Sequence, residues 1–214
     1  MDLRNIVHRK RIGLNGRAPT RRLLRACCRF GLGVTRHAPI ESSEPDLESL
    51  RALAPGELAL VTGPSGSGKT RLLRVLTSRL RSEREHALLR DLSAPVEGGR
   101  AVIDLIPLPL NRALRLLAAA GLADPFALGR TVRELSTGER ARFVLARSLV
   151  HRRDRPGWLL IDEFLTMLDR ATAIATARSF RRAAQEFAPD LRIVVATAVD
   201  DIAPAICADV VVRV

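Results

Sequence analysis

Residues 58–80 read LALVTGPSGSGKTRLLRVLTSRL. A run of apolar and small residues, 58–62, leads straight into a glycine-rich octapeptide. After it comes a segment whose Leu72, Leu73, Leu76 and Leu80 share one helical face. Strand, loop and helix in that order are the setting in which G-x-x-x-x-G-K-[ST] cradles phosphate. Gly63, Gly66 and Gly68 let the backbone curl, so that successive N–H groups and the helix N-terminus face an anion, while Pro64, Ser65 and Ser67 complete the loop. Lys69 is placed to reach the β and γ phosphates, and the Thr70 hydroxyl to ligate Mg²⁺. Lys10 and Lys69 are the only lysines in 214 residues, which makes an incidental lysine here a poor explanation.

A second apolar run, 158–161, ends in Asp162 and Glu163. Two acids closing a strand are, by themselves, an ordinary solvated strand exit. Downstream of a phosphate loop they fall where open α/β sheets bind ligands, at the carboxyl ends of strands. Asp162 is then the candidate to hold Mg²⁺ through water, and Glu163 the candidate to orient or deprotonate an attacking water.

Between these motifs stands Leu135-Ser136-Thr137-Gly138-Glu139, followed by an apolar-periodic segment that Ser136 or Thr137 can cap and that runs to about Val150. Alone, Leu-Ser-x-Gly is a weak pattern. In its place between the other two, from about Leu50 to the C-terminus, the chain resembles the ATP-binding cassette (ABC) ATPases. Leu135, Ser136 and Gly138 match the family signature, and Thr137 and Glu139 depart from its commonest form; Leu168 and Asp169 match the end of the family's D-loop.

The resemblance implies a P-loop NTPase of the α/β class, with a mostly parallel sheet flanked by helices and a compact ABC-type helical subdomain. It also implies ATP and Mg²⁺ as ligands, and an ATP-dependent head-to-tail homodimer in which Leu135, Ser136, Thr137, Gly138 and Glu139 of one copy close over the phosphate loop of the other. The Glu139 carboxylate brings a like charge towards that anion unless the side chain turns away.

Two family features are missing. Ala198 or Val199 stands where the switch histidine is expected, and Gln185, the only glutamine, lies beyond the acidic strand and so cannot be the Q-loop residue; Asp104 and Asn111 are the available substitutes. Slow hydrolysis follows as an expectation. An adenine-stacking ring has to come from upstream, where Phe30 and His37 are available. The compact 71–134 segment and the missing glutamine argue against a transporter subunit. The IDEF, LDR-x-TA and ATAxDD segments resemble stand-alone soluble ABC ATPases whose relatives are fused to an acetyltransferase-like domain. A transporter subunit, and a nucleotide-gated dimerisation module with little hydrolysis, are the alternatives.

Composition sets the remaining bounds. Of a net charge of +12, residues 1–36 supply +9, with ten basic residues against Asp2 alone. A basic N-terminal arm, 1–40, is therefore expected ahead of an ATP-binding domain, 41–214, and nucleic-acid phosphate is a candidate partner for it. No run approaches the ~20 apolar residues of a membrane span, so a membrane subunit would have to be a separate chain and is disfavoured. Cys27, Cys28 and Cys207 lack metal-ligand spacing, which suits a cytoplasmic location. Further elements are expected as a short helix at 21–29, an acidic linker at 41–48, strands at 101–106, 193–196 and 210–214, and helices at 111–120 and 170–187.

Overall fold

The structure, a computed structural model, describes residues 11–13, 20, 22, 23, 26, 33–35, 47–92, 99–150, 157–199 and 202–214. The chain divides into two units, Met1–Glu44 and Pro45–Val214. In the first, β1 (Arg11–Gly13) pairs in parallel with β2 (Gly33–Thr35), Ile12 level with Val34. Residues 22, 23 and 26 are helical, inside the helix expected at 21–29, and the Thr20 hydroxyl accepts the Leu23 N–H at 3.2 Å.

The second unit alternates strand and helix. It runs α1 (Leu47–Arg51), β3 (Leu58–Thr62), α2 (Lys69–Ser82), β4 (Ala87–Asp91), a 3-10 turn (Val102–Leu105), α3 (Leu110–Ala119), α4 (Pro125–Gly129), a second 3-10 turn (Val132–Glu134), α5 (Thr137–Val150), β5 (Trp158–Asp162), α6 (Arg170–Phe187), β6 (Arg192–Thr197), α7 (Ala203–Ile206) and β7 (Val210–Arg213). The last five strands form one wholly parallel sheet in the order β4-β5-β6-β3-β7.

The pleat explains the continuous apolar runs. Leu58 and Leu60 of β3 join a core with Leu116, Phe143, Phe164 and Phe180 from the helices of one face. Ala59 and Val61, on the opposite pleat, join Leu50, Leu72, Leu73 and Leu76 of α1 and α2 on the other. A sheet covered on both faces needs apolar residues at both parities, which is what β3, β5 and β6 supply.

Two expectations fail, and one strand had none. Within 101–106, Val102–Leu105 form a 3-10 turn, closed by the Asp104 N–H to Ala101 carbonyl bond at 3.0 Å, with Val102 and Ile106 buried. The linker expected at 41–48 gives way at its end to α1, which drives Leu50 fully into the core. Strand β4 had no forecast: it is an edge strand in which only Ala87 is buried, so it carries no apolar run.

One polar clasp fixes where β3 begins. Asp209 Oδ2 accepts the Leu58 N–H at 2.7 Å and an Arg181 N–H at 2.9 Å, while Arg181 also donates to the Gly56 carbonyl at 3.3 Å. This joins α6, the start of β3 and the approach to β7. Asp209→Ala strands two donors, one of them on a mostly buried arginine, and should cost about 1–3 kcal/mol. Equilibrium urea unfolding measures it, with an unchanged m-value expected.

Candidate nucleotide site

In β3, the strand that leads into the phosphate loop, Thr62 stands level with Thr197 of β6, and β6 in turn pairs with β5. The parallel arrangement therefore brings the phosphate loop and the Asp162–Glu163 carboxylates to the same edge of the sheet, with β6 between them. At that edge α2 begins, and its first turn presents free N–H groups and the positive end of its dipole.

The loop is shaped for close approach. A Cβ on Gly63 would overlap the Val214 carbonyl oxygen and come within 2.9 Å of Ser67 Oγ. Gly68 caps α2 with φ 111°, a conformation that side chains disfavour. Lys69 is 7% exposed, and its Nζ donates to the carbonyls of Gly63 and Pro64 at 2.7 and 2.9 Å. Ser67 Oγ is buried with no hydrogen-bond partner. A glycine cradle, a lysine held across its mouth and an unsatisfied hydroxyl fit an incoming phosphate chain.

Asp162 is 7% exposed and accepts the Glu163 N–H on Oδ1 at 3.0 Å. A single carboxylate with the Thr70 hydroxyl suits Mg²⁺, which keeps most of its shell as water and substrate phosphate. No group of three or more His, Cys, Asp or Glu residues able to hold a metal occurs among the described residues, so an all-protein metal cage is not on offer there.

The turn after β5 is strained. Glu163 and Leu165 have φ of 52° and 58°, a conformation costing about 1–3 kcal/mol at each residue. Burial of Phe164 and Leu165, and the Phe164 N–H to Ala196 carbonyl bond at 2.8 Å, hold it in place. Glu163 is half-buried, and with Thr137, Arg140, Leu165, Met167 and Leu168 it lines a small cleft between this turn and the first turn of α5. The structure thus brings Thr137 of the signature segment, Glu163 and Leu168 together within one chain, and no residue of the phosphate loop lines that cleft.

Glu139 turns away from the anion site. Its Oε2 accepts the Ser136 N–H at 2.8 Å, and Ser136 Oγ accepts the Glu139 N–H at 3.3 Å, a reciprocal cap on α5. Asp169 likewise caps α6, accepting the Thr172 N–H at 3.0 Å. A Cβ on Gly138 would make only an ordinary 3.5 Å contact with Thr172, so the monomer does not require glycine there.

Ala198 and Val199 follow β6 directly, and the Val199 N–H is taken by Thr197 Oγ1 at 3.1 Å. Asp104 and Asn111, the substitutes for the absent glutamine, are both exposed, on the first 3-10 turn and on α3. The sequence reading passed over Asp91, which ends β4 in register with Asp162. Ala87-Leu88-Leu89-Arg90-Asp91 does not alternate apolar with polar residues, so this stretch carries no strand signal of its own. Phe30 and His37 lie outside the described residues.

Hydrogen bonding holds two exposed carboxyls below their ordinary range. For Glu139 the chief cause is the Ser136 N–H, then the Ser136 hydroxyl; for Asp169 it is the Thr172 side chain, then the Thr172 N–H. A depressed folded-state pKa stabilises the fold above the unfolded value and loses that contribution as pH falls through the folded one. The thermal midpoint should therefore begin to fall below about pH 4.5, the ordinary glutamate value. Glu139→Gln should flatten part of that decline in a calorimetric pH series.

No family model matches the chain. Among curated proteins it is similar to the aliphatic sulfonates import ATP-binding protein SsuB of Ralstonia nicotianae, 37% identical over 144 residues, 57% of this chain and 48% of that protein. The same-named protein of Escherichia coli K12 is 35% identical over 138 residues, covering 56% and 52%. The chain thus spans about half the length of the curated relatives it matches. In fold it is similar to an ABC transporter ATP-binding protein from Pyrococcus furiosus, with TM-score 0.58 and 17% identity over 75% of this chain and 86% of that one. It is also similar to the dimeric ATP-binding cassette MJ0796 bound to ADP and Pi, with TM-score 0.50 and 19% identity, covering 71% and 78%. The SsuB relatives are named as import ATP-binding proteins, which runs against the expectation of a non-transport role drawn from compactness and the missing glutamine. The likeness to ABC proteins fused to an acetyltransferase-like domain is not among these findings. Parallel sheet, phosphate loop, acidic strand end and curated relatives agree in making the chain similar to the ATP-binding proteins of the ABC family.

Proposed function

We propose that this chain binds ATP with Mg²⁺ and hydrolyses it within a head-to-tail dimer of two copies, the basic arm 1–40 being appended to an ATP-binding domain at 41–214. The observation that carries the reading is the single sheet edge at which Lys69, the α2 N-terminus, Asp162 and Glu163 converge. N–H groups at the α2 N-terminus bind the phosphates, and Lys69 exchanges the Gly63 and Pro64 carbonyls for β- and γ-phosphate oxygens. Thr70 and Asp162 would hold Mg²⁺, which when bound offsets the phosphate charge. Glu163 takes a proton from water as the water oxygen bonds the γ phosphorus; the bond from that phosphorus to the bridging oxygen breaks, leaving ADP and phosphate.

Closure by a second copy is supported from two sides. Thr137 of the Leu135–Glu139 segment and Leu168, which with Asp169 ends the D-loop, line a cleft to which the same chain's phosphate loop contributes no residue, and Gly138 is not needed by the monomer's own packing. With its carboxylate committed to Ser136, Glu139 places less charge towards a partner's nucleotide. Neither Ala198 nor Val199 can donate to the γ phosphate from its side chain, so turnover should be slow for the family.

The partner class favoured is a separate membrane subunit, because the relatives are named as import ATP-binding proteins. This reverses the preference for a non-transport role on a nucleic-acid or protein partner. No helix among the described residues is long and apolar enough to cross a membrane, so such a subunit would be another chain, met from the cytoplasmic side.

Lys69→Ala should weaken ATP by about ten- to hundredfold in calorimetry, since a hydrogen bond to a charged group is worth about 1.5–3 kcal/mol. Glu163→Gln should keep ATP binding, lose turnover by about 10²–10⁴ and accumulate a dimer seen by light scattering. Unchanged affinity in the first variant, or full turnover in the second, overturns the assignment. Affinity purification with ATP should recover a stoichiometric membrane protein; recovery of nucleic acid instead restores the other partner class.

A further inference from the structure

The Thr166 hydroxyl lies 2.9 Å from Glu163 Oε2 and 3.2 Å from the Glu163 carbonyl oxygen. A threonine hydroxyl carries one proton and a carboxylate only accepts, so the shorter contact is an O–H donated to the carboxylate. Among the described residues this is the one hydrogen bond that the Glu163 carboxylate makes. Both residues are half-buried, and the chain between them is fixed by the fully buried Phe164 and the nearly buried Leu165. The Phe164 ring packs 5.7 Å from that of Phe180 on α6, and its N–H is anchored on β6 at the Ala196 carbonyl. The hydroxyl is therefore set by backbone and core, and its distance from Glu163 does not depend on a loose surface side chain.

We propose that Thr166 is the positioning residue for Glu163, its hydroxyl holding the carboxylate in the orientation from which it takes the proton of the attacking water. The inference deepens the hydrolysis reading and rests on it. Glu163 follows the last residue of β5 at φ 52°, and among the described residues no other hydrogen bond restrains its carboxylate. A base that must meet a water within hydrogen-bond reach gains from losing its rotamer freedom before the substrate arrives. Thr166 touches neither substrate nor water in this scheme and acts only through Glu163.

The test uses the full-length chain. Thr166→Val keeps the shape and removes the donor, Thr166→Ser keeps the donor, and Thr166→Ala serves if the valine variant does not fold. The donor-less variants should lower kcat about ten- to hundredfold with KM and ATP affinity unchanged, while serine stays within about twofold of wild type. In a Glu163→Gln background, Thr166→Val should add no further loss, because both changes act on one group. Wild-type turnover in Thr166→Val, with Glu163→Gln inactive, overturns this proposal and leaves the hydrolysis reading standing. A parallel fall in ATP affinity or thermal midpoint makes Thr166 structural and also overturns it. A wild-type chain that does not hydrolyse ATP overturns the hydrolysis reading, and this inference with it.

Discussion

The parallel pairing of β3, β6 and β5 is the constraint on which the rest depends. Because all three strands point the same way, their carboxyl ends share one edge, and the turns that leave them are the only backbone free to meet a ligand there. Thr62 beside Thr197, and Ile161 beside Val195, set the level of the phosphate loop against that of the acids. A one-residue slip of β6 would turn Ile193 and Val195 out of one core and into the other, so the register is held by burial on both faces.

At that edge the chain accepts backbone conformations that side chains disfavour. Gly63 and Gly68 take backbone geometries closed to side chains, and Glu163 and Leu165 take the left-handed region without being glycine. The compensation is visible: Phe164 is fully buried, and its N–H reaches across to β6. Ser67 Oγ is one of two buried side-chain atoms left without a partner among the described residues, and it sits in the phosphate loop. Lys69 is satisfied meanwhile by two loop carbonyls, groups it can exchange for phosphate oxygens at little cost in geometry.

The caps on α5 and α6 resolve the charge problem posed by Glu139. In the sequence, a glutamate ends a motif expected to approach a nucleotide. In the fold, its carboxylate satisfies the N–H of Ser136, a donor at the helix start that needs a partner in any case. The departures that remain are alanine and valine after β6 and the absence of a glutamine between the P-loop and β5.

The amino-acid sequence by itself determined the parallel α/β class, the phosphate loop at 63–70, the acids at 162 and 163, and the bounds of Arg170–Phe187, because each rests on local periodicity or on a motif with its flanking elements. It could not show β4, whose strand character comes from pairing with β5 and not from its own burial, nor the 3-10 turn at Val102–Leu105. Tertiary structure alone decided which way the Glu139 carboxylate points, that Asp91 stands level with Asp162, and that Thr166 meets Glu163. Each of these depends on φ values, caps and strand register, which are set by the packing of the whole domain and leave little trace in a short stretch of residues.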